Sequence, residues 1–166
     1  MKNIVYYHLP PLNIGITEEN GTITQVFFAK ERSPAAQGQE TPLLRQAAEQ
    51  LRQYLAGQRQ NFSLPLAPRG TEFQMQVWQA LQSIPYGQTR SYKQIAGQIG
   101  RPAACRAVGM ANNRNPIIII IPCHRVIGAN GHLTGYGGGL EVKQHLLGLE
   151  ARGEKIEIGN NKEGHI

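Results

Sequence analysis

Residues Ile121–Val126 read IPCHRV and follow Asn115–Ile120, NPIIII. The apolar, β-branched run predicts a buried strand, and a cysteine at the end of such a strand is held rigidly. Cys123 has His124 beside it and Arg125 two residues on, so groups able to carry positive charge stand near a sulfur that the isoleucines desolvate. Positive charge favours thiolate over thiol and can lower a free-cysteine pKa from about 8.5 into the range ~3.5–7.5. The expectation is therefore a reactive thiolate, set against the default of an inert buried cysteine. Cys105, the second cysteine, lacks such neighbours. A thiol that loses its proton needs an acceptor; histidine is the usual one, with a carboxylate to orient it. Consecutive side chains on a strand point to opposite faces, so His124 serves Cys123 only through a bridging water or if the chain turns there. A soft thiolate suits an sp3 carbon. If such a sulfur took up an alkyl group, the product would be a thioether, which has no carbonyl for water to attack, and the protein would be consumed in a single turnover.

The rest of the composition narrows the chemistry. Two cysteines give neither a disulfide framework nor zinc-ligand spacing, and the five histidines are scattered. GYGGGL, Gly135–Leu140, lacks the preceding strand and the spacing of a dinucleotide site, and no phosphate-binding glycine motif is present. Metal and cofactor are both expected to be none. The net charge of +6 suits a polyanionic partner. The thiol usage fits a reducing cytoplasm, and the longest apolar run, Ile117–Ile121, is far too short to cross a bilayer.

The elements that must position these residues are readable from turn and cap chemistry. Asn3–His8, Leu12–Glu19 and Thr22–Phe28 have strand composition, and Asn20-Gly21 between the last two marks a hairpin. Thr41 reads as an N-cap with Pro42 at the first helical position, and Leu43, Leu44, Ala47, Ala48, Leu51 and Leu55 form the apolar stripe of a helix that ends at Gly57 and covers the sheet. Residues 61–70, with Pro65, Pro68 and Gly70, read as a linker, which sets units of residues 1–69 and 70–166. Thr71 with Gln74, and Ser91 with Gln94, are capping boxes that open two helices. A further helix is expected from Pro102 to about Asn112, then a strand at Ile117–Ile121, a turn at Asn130-Gly131, a last helix from about Leu140 to Glu150, and a disordered tail from about Lys155. The helix pair Tyr92–Gln98 and Pro102–Asn112 has the spacing of a helix-turn-helix or of an ordinary αα-corner. Its second member carries Ala103, Ala104, Ala107, Gly109 and Ala111, which permit either tight packing or close approach to a narrow groove, and one arginine, Arg106.

These stretches, FQMQVWQAL, IPYGQTRSYKQIA, CRAVGMANNRNP, IPCHRVIG and TGYGGGLEVKQHLLGLE, lie in order between Thr71 and Gly153, and together they resemble the O6-alkylguanine-DNA alkyltransferases. The resemblance implies a fold of α/β plus α: a small ribonuclease H-like antiparallel sheet with a helix, then a mostly helical, winged helix-turn-helix-like domain that carries the acceptor cysteine. It implies irreversible transfer of an alkyl group from O6 of a flipped guanine, and less readily from O4 of thymine, to Cys123. It further implies a water relay through His124 to Glu150, a bracing asparagine at Asn115, and a tyrosine at Tyr92 that assists departure of the base. Arg106 matches the finger that fills the base stack, with Ala104, Ala107, Gly109 and Arg125 among the DNA contacts. Tyr136, Gly137, Val126 and Ile118 match the pocket for the alkylated base. The implied partner is double-stranded DNA containing O6-alkylguanine, met by a monomer.

Ile118 stands where some relatives have proline, Asn112 and Asn113 depart from common residues, and the zinc site of some amino-terminal domains has no ligands here. Three other readings compete. A non-catalytic lesion binder of the alkyltransferase-like type would lack the acceptor cysteine, a Cys-His hydrolase would turn over repeatedly, and a helix-turn-helix regulator would prefer a sequence rather than a lesion.

Overall fold

The computed structural model describes residues 2–29, 36–128, 131, 136 and 138–152. Three strands, β1 (Lys2–Leu9), β2 (Leu12–Glu19) and β3 (Thr22–Phe28), form an antiparallel sheet in the order β1-β2-β3. Asn20 and Gly21 connect β2 to β3 with φ of 52° and 79°, the left-handed pair that a tight hairpin requires. Helix α1 (Pro42–Leu55) starts where its cap chemistry places it, with the Thr41 hydroxyl accepting from the Leu44 N–H at 3.2 Å. It buries Leu44, Ala47, Leu51 and Leu55 and packs on the sheet, and each fully buried leucine contributes about 1.5–3 kcal/mol.

The segment expected to be a linker is docked onto the sheet. Ile23 N–H donates to Pro65 O at 2.8 Å and Ala67 N–H to Ile23 O at 2.9 Å, so the chain runs along the outer edge of β3. Further along the same edge, Val26 N–H donates to Pro116 O at 2.9 Å and Ile118 N–H to Val26 O at 3.0 Å. The edge strand is thereby covered, and the first strands are joined directly to the segment that leads to Cys123.

The second half is helical. Helices α2 (Glu72–Gln82) and α3 (Tyr92–Gln98) both open on complete capping boxes, Thr71 with Gln74 and Ser91 with Gln94. Between them, β4 (Arg90–Ser91) pairs in parallel with β5 (Val126–Ile127), a two-residue ladder that ties the start of α3 to the exit of the cysteine segment. Helix α4 (Cys105–Asn113) begins three residues later than the sequence suggests, because Pro102 and Ala103 form a turn and Ala104 is the N-cap. α4 turns Val108, Ala111 and Asn112 inward, and Trp78 Nε1 donates to Ala111 O at 2.9 Å to anchor it to α2. Helix α5 (Leu140–Arg152) closes the described chain, and the core runs without interruption from Ile14 and Ile16 to Leu146 and Leu149. Among the described residues, no helix is long and apolar enough to cross a membrane. The Asn130-Gly131 turn as a pair, Gly137 and the tail from Lys155 lie outside the described residues.

Candidate active site

The strand expected at Ile117–Ile121 does not form. Only Ile117 makes a bridge, to Val26, although all five isoleucines are buried. Asn115 explains the change. Its Nδ2 donates to Ile121 O at 2.7 Å and its Oδ1 accepts from Ile117 N–H at 3.0 Å, so one side chain closes the segment into a loop. Inside that loop Ile120 N–H donates to Ile118 O at 2.7 Å across Ile119, whose φ is 70°. This is the rare, strained form of γ-turn, at a β-branched residue that ordinarily avoids positive φ. A second γ-turn follows, of the common form: Cys123 N–H donates to Ile121 O at 2.8 Å across Pro122 at φ −82°, ψ 66°. Cys123–Arg125 then form one turn of 3-10 helix. Three residues per turn separate neighbouring side chains by about a third of a revolution rather than half, which removes the strand-based objection to His124 acting beside Cys123.

The three side chains of this turn are buried, and a single carboxylate organises two of them. Glu150 Oε2 accepts from His124 Nε2 at 2.7 Å, from Arg125 Nη2 at 2.9 Å and from the Tyr54 hydroxyl at 2.5 Å. Glu150 Oε1 accepts from Arg125 Nε at 2.8 Å and from Gly87 N–H at 3.3 Å. Burial pushes the Glu150 carboxyl upward, but the His124 and Arg125 hydrogen bonds and charges together outweigh it and hold the group well below the usual carboxylate range. An ionised Glu150 only accepts, so His124 carries its proton on Nε2 and presents Nδ1 as an acceptor. Burial lowers the His124 pKa against the opposing pull of Glu150, which keeps the ring neutral at rest. Nδ1 is buried and makes no hydrogen bond to a protein atom.

The cysteine corrects the expectation of a resting thiolate. Burial raises the Cys123 pKa to about 11, and the Asn115 amide, the Lys143 ammonium and the local backbone N–H groups offset only part of that. Desolvation outweighs the positive charge because Arg125 is turned to Glu150 and His124 is neutral. Lys143, fully buried on α5, is the cation whose charge acts on the sulfur; its Nζ donates to Val126 O at 2.6 Å, and burial lowers its pKa to about 8.

Cys123 opens on a cavity of about 430 Å³, inside the ~300–1,000 Å³ range of small-ligand pockets. Ile118, Asn112, Asn115 and Tyr136 line it from the helical half, and Val26 and Phe28 line it from β3. Val126 is not on that lining; it is fully buried and its carbonyl holds Lys143. Tyr92 is half-buried against α4, where a Cβ at Gly109 would sit 3.8 Å from its ring. The exposed face of α4 presents Arg106, Ala107 and Met110, with Ala104 half-buried at its start. Arg125, expected among the DNA contacts, is instead committed inside the protein, with Nη1 donating to Ile84 O at 2.7 Å in addition to its two bonds to Glu150.

Residues 72–152 match the DNA-binding domain of 6-O-methylguanine DNA methyltransferase, and residues 5–68 match its ribonuclease-like domain. The methylated-DNA–protein-cysteine methyltransferase of Methanosarcina acetivorans is 63% identical over 106 residues, which span 64% of this chain and 68% of that protein. The constitutive methylated-DNA–protein-cysteine methyltransferase of Bacillus subtilis is 50% identical over 143 residues, 81% of this chain and 87% of that protein. The chain belongs to the 6-O-methylguanine DNA methyltransferase family. Its architecture agrees: the crystal structure of Mycobacterium tuberculosis OGT in complex with DNA superposes with a TM-score of 0.79 at 46% identity, covering 86% of this chain and 89% of that one.

Within this family member, sequence reasoning missed two residues of the buried cluster. Lys143 lies on the same helical stripe as Leu146, Leu147 and Glu150, so a charge at core spacing was a readable signal. Tyr54 also lies on an apolar stripe, but its partner is 96 residues away and nothing local announces the contact.

Proposed function

We propose that the protein repairs DNA by moving the alkyl group from O6 of guanine, and less readily from O4 of thymine, onto Cys123 Sγ, once per molecule. DNA is its partner, and its activity is that of a methylated-DNA–protein-cysteine methyltransferase. The observation that carries the assignment of the acceptor is a cysteine only 3% exposed that nevertheless opens on a base-sized cavity beside a fixed His124–Glu150 pair. A base inside a duplex cannot reach such a sulfur, so the nucleotide must rotate out of the stack. Arg106 stands ready on the exposed face of α4 to occupy the gap, and Ala104, Ala107 and Gly109 keep that face slim enough for a minor groove about 6 Å wide. Small side chains read no bases, so binding is carried by phosphates and tolerates any sequence around the lesion.

Chemistry begins from the neutral thiol. Its proton passes through one water to His124 Nδ1, and Glu150 stabilises the imidazolium that forms. The S–C bond forms as the C–O6 bond breaks, and the electron pair goes to the guanine oxygen. The base takes up a proton, with the Tyr92 hydroxyl assisting, so one thioether and one guanine replace one thiol and one alkylated guanine. Arg125 clamps Glu150, Asn115 shapes the turn, and Tyr136 and Ile118 bound the alkyl group. Residues 1–69 and 70–166 act as two units of a monomer that meets double-stranded DNA at O6-alkylguanine. The test is stoichiometry. Methyl groups moved from a methylated duplex should rise to one per protein and stop, and a count that climbs past one would make the protein a hydrolase instead.

A further inference from the structure

We propose that Phe28, on the amino-terminal sheet, sets the size of the alkyl group that the Cys123 cavity accepts. This rests on the alkyl-transfer reading above and adds to it a task for the first unit of the chain. The cavity is not built from the helical half alone: Val26 and Phe28 line it together with Ile118, Tyr136 and Cys123. β3 is held there by backbone, through Val26 N–H to Pro116 O at 2.9 Å and Ile118 N–H to Val26 O at 3.0 Å. The wall therefore stands in fixed register with the segment that carries the nucleophile.

The Phe28 ring is confined on two further sides. It meets Tyr136 edge-on, with ring centroids 5.9 Å apart and planes at 67°. A Cβ added at Gly138 would lie 2.5 Å from a Phe28 ring carbon, so the chain just after Tyr136 packs directly on the ring. Held between Tyr136 and Gly138, the ring cannot swing aside for a larger substrate. A methyl group needs no extra room, whereas a benzyl group does.

The test compares transfer from O6-methylguanine and O6-benzylguanine in the same duplex for the native protein, Phe28→Ala and Phe28→Leu. Phe28→Ala should raise the benzyl-to-methyl rate ratio by roughly tenfold or more, the scale on which a methylene or two of pocket volume discriminates substrates. Phe28→Leu should move the ratio the same way by less, and it decides the matter if the alanine variant does not fold. Unchanged ratios in a folded variant, with the native protein active on methylguanine, would overturn this assignment alone. Inactivity of the native protein on both substrates would overturn the repair reading and this assignment with it.

Discussion

The outer face of α4 and the turn that carries Cys123 use charge in opposite ways. On α4, Arg106 is exposed among small residues and the helix contains no acidic side chain, so its charge acts on whatever the protein meets. At the cysteine turn, Arg125 and Glu150 are buried and bound to each other, with the neutral His124 ring on the same carboxylate, so their charges act within the protein. Substitutions on the outer face of α4 should therefore alter binding and leave stability alone, while substitutions around Glu150 should alter stability and its pH dependence. The division also explains why a Pro-Cys-His-Arg segment with two basic side chains holds a thiol rather than a thiolate: the positive charge is neutralised locally, and burial then dominates the sulfur.

The largest effect on function should come from Cys123→Ala, which is expected to abolish transfer while DNA affinity stays near native, as read by repair and binding assays on one methylated duplex. Cys105→Ala should keep activity, and equal loss in both variants would sink the acceptor assignment.

The largest effect on stability should come from Glu150→Gln. Leaving Arg125 and His124 buried without their carboxylate is expected to cost about 3–5 kcal/mol. Linkage adds a pH signature. Because the folded pKa of Glu150 lies below its unfolded value of about 4.3, its contribution is fully present above that value and is lost as pH falls through the depressed range. Cys123 works in the other direction. Its folded pKa of about 11 lies above the ordinary value of about 8.5, so its contribution is present below that value and is lost as pH rises toward 11. Melting temperatures across pH should show the native protein losing stability at both ends, Glu150→Gln losing less at the acid end, and Cys123→Ala losing less at the alkaline end. Superimposable acid limbs would mean that Glu150 is not held ionised by its neighbours.

Tyr54→Phe comes next. Loss of one hydrogen bond to a buried carboxylate should lower stability by roughly 1.5–3 kcal/mol, with the ring contacts to Phe62 and Tyr86 retained. A change below the error of a denaturant titration would show that the amino-terminal helix is not coupled to Glu150.

Much of this was legible in the sequence where the physics is local. The Asn20-Gly21 hairpin, the Thr41-Pro42 helix start and both capping boxes appear where turn and cap chemistry places them. The isoleucine run misled because β propensity describes fit to a half-buried pleated surface, and here Asn115 supplies side-chain hydrogen bonds that replace the ladder. Arg125 and Tyr54 were opaque for a different reason: their partners, Glu150 and Ile84, are distant in sequence, and only the assembled core decides that an arginine faces inward.

The smallest effect on the protein itself should be that of Arg106→Ala. As an exposed substitution it should change stability by no more than about 0.5 kcal/mol, yet slow repair in duplex DNA while leaving transfer from the free base unchanged. Affinity for duplex should also fall steeply with salt and vary little with sequence. A uniform loss on duplex and free base would mean that Arg106 supports the fold rather than base extrusion.

One measurement bears most directly on the proposal that Cys123 is the acceptor. Intact-mass analysis and peptide mapping after incubation with a methylated duplex should find one added methyl group, on the peptide containing Cys123, in essentially every protein molecule. A methyl group on the Cys105 peptide, or an unmodified protein beside fully demethylated DNA, would contradict it.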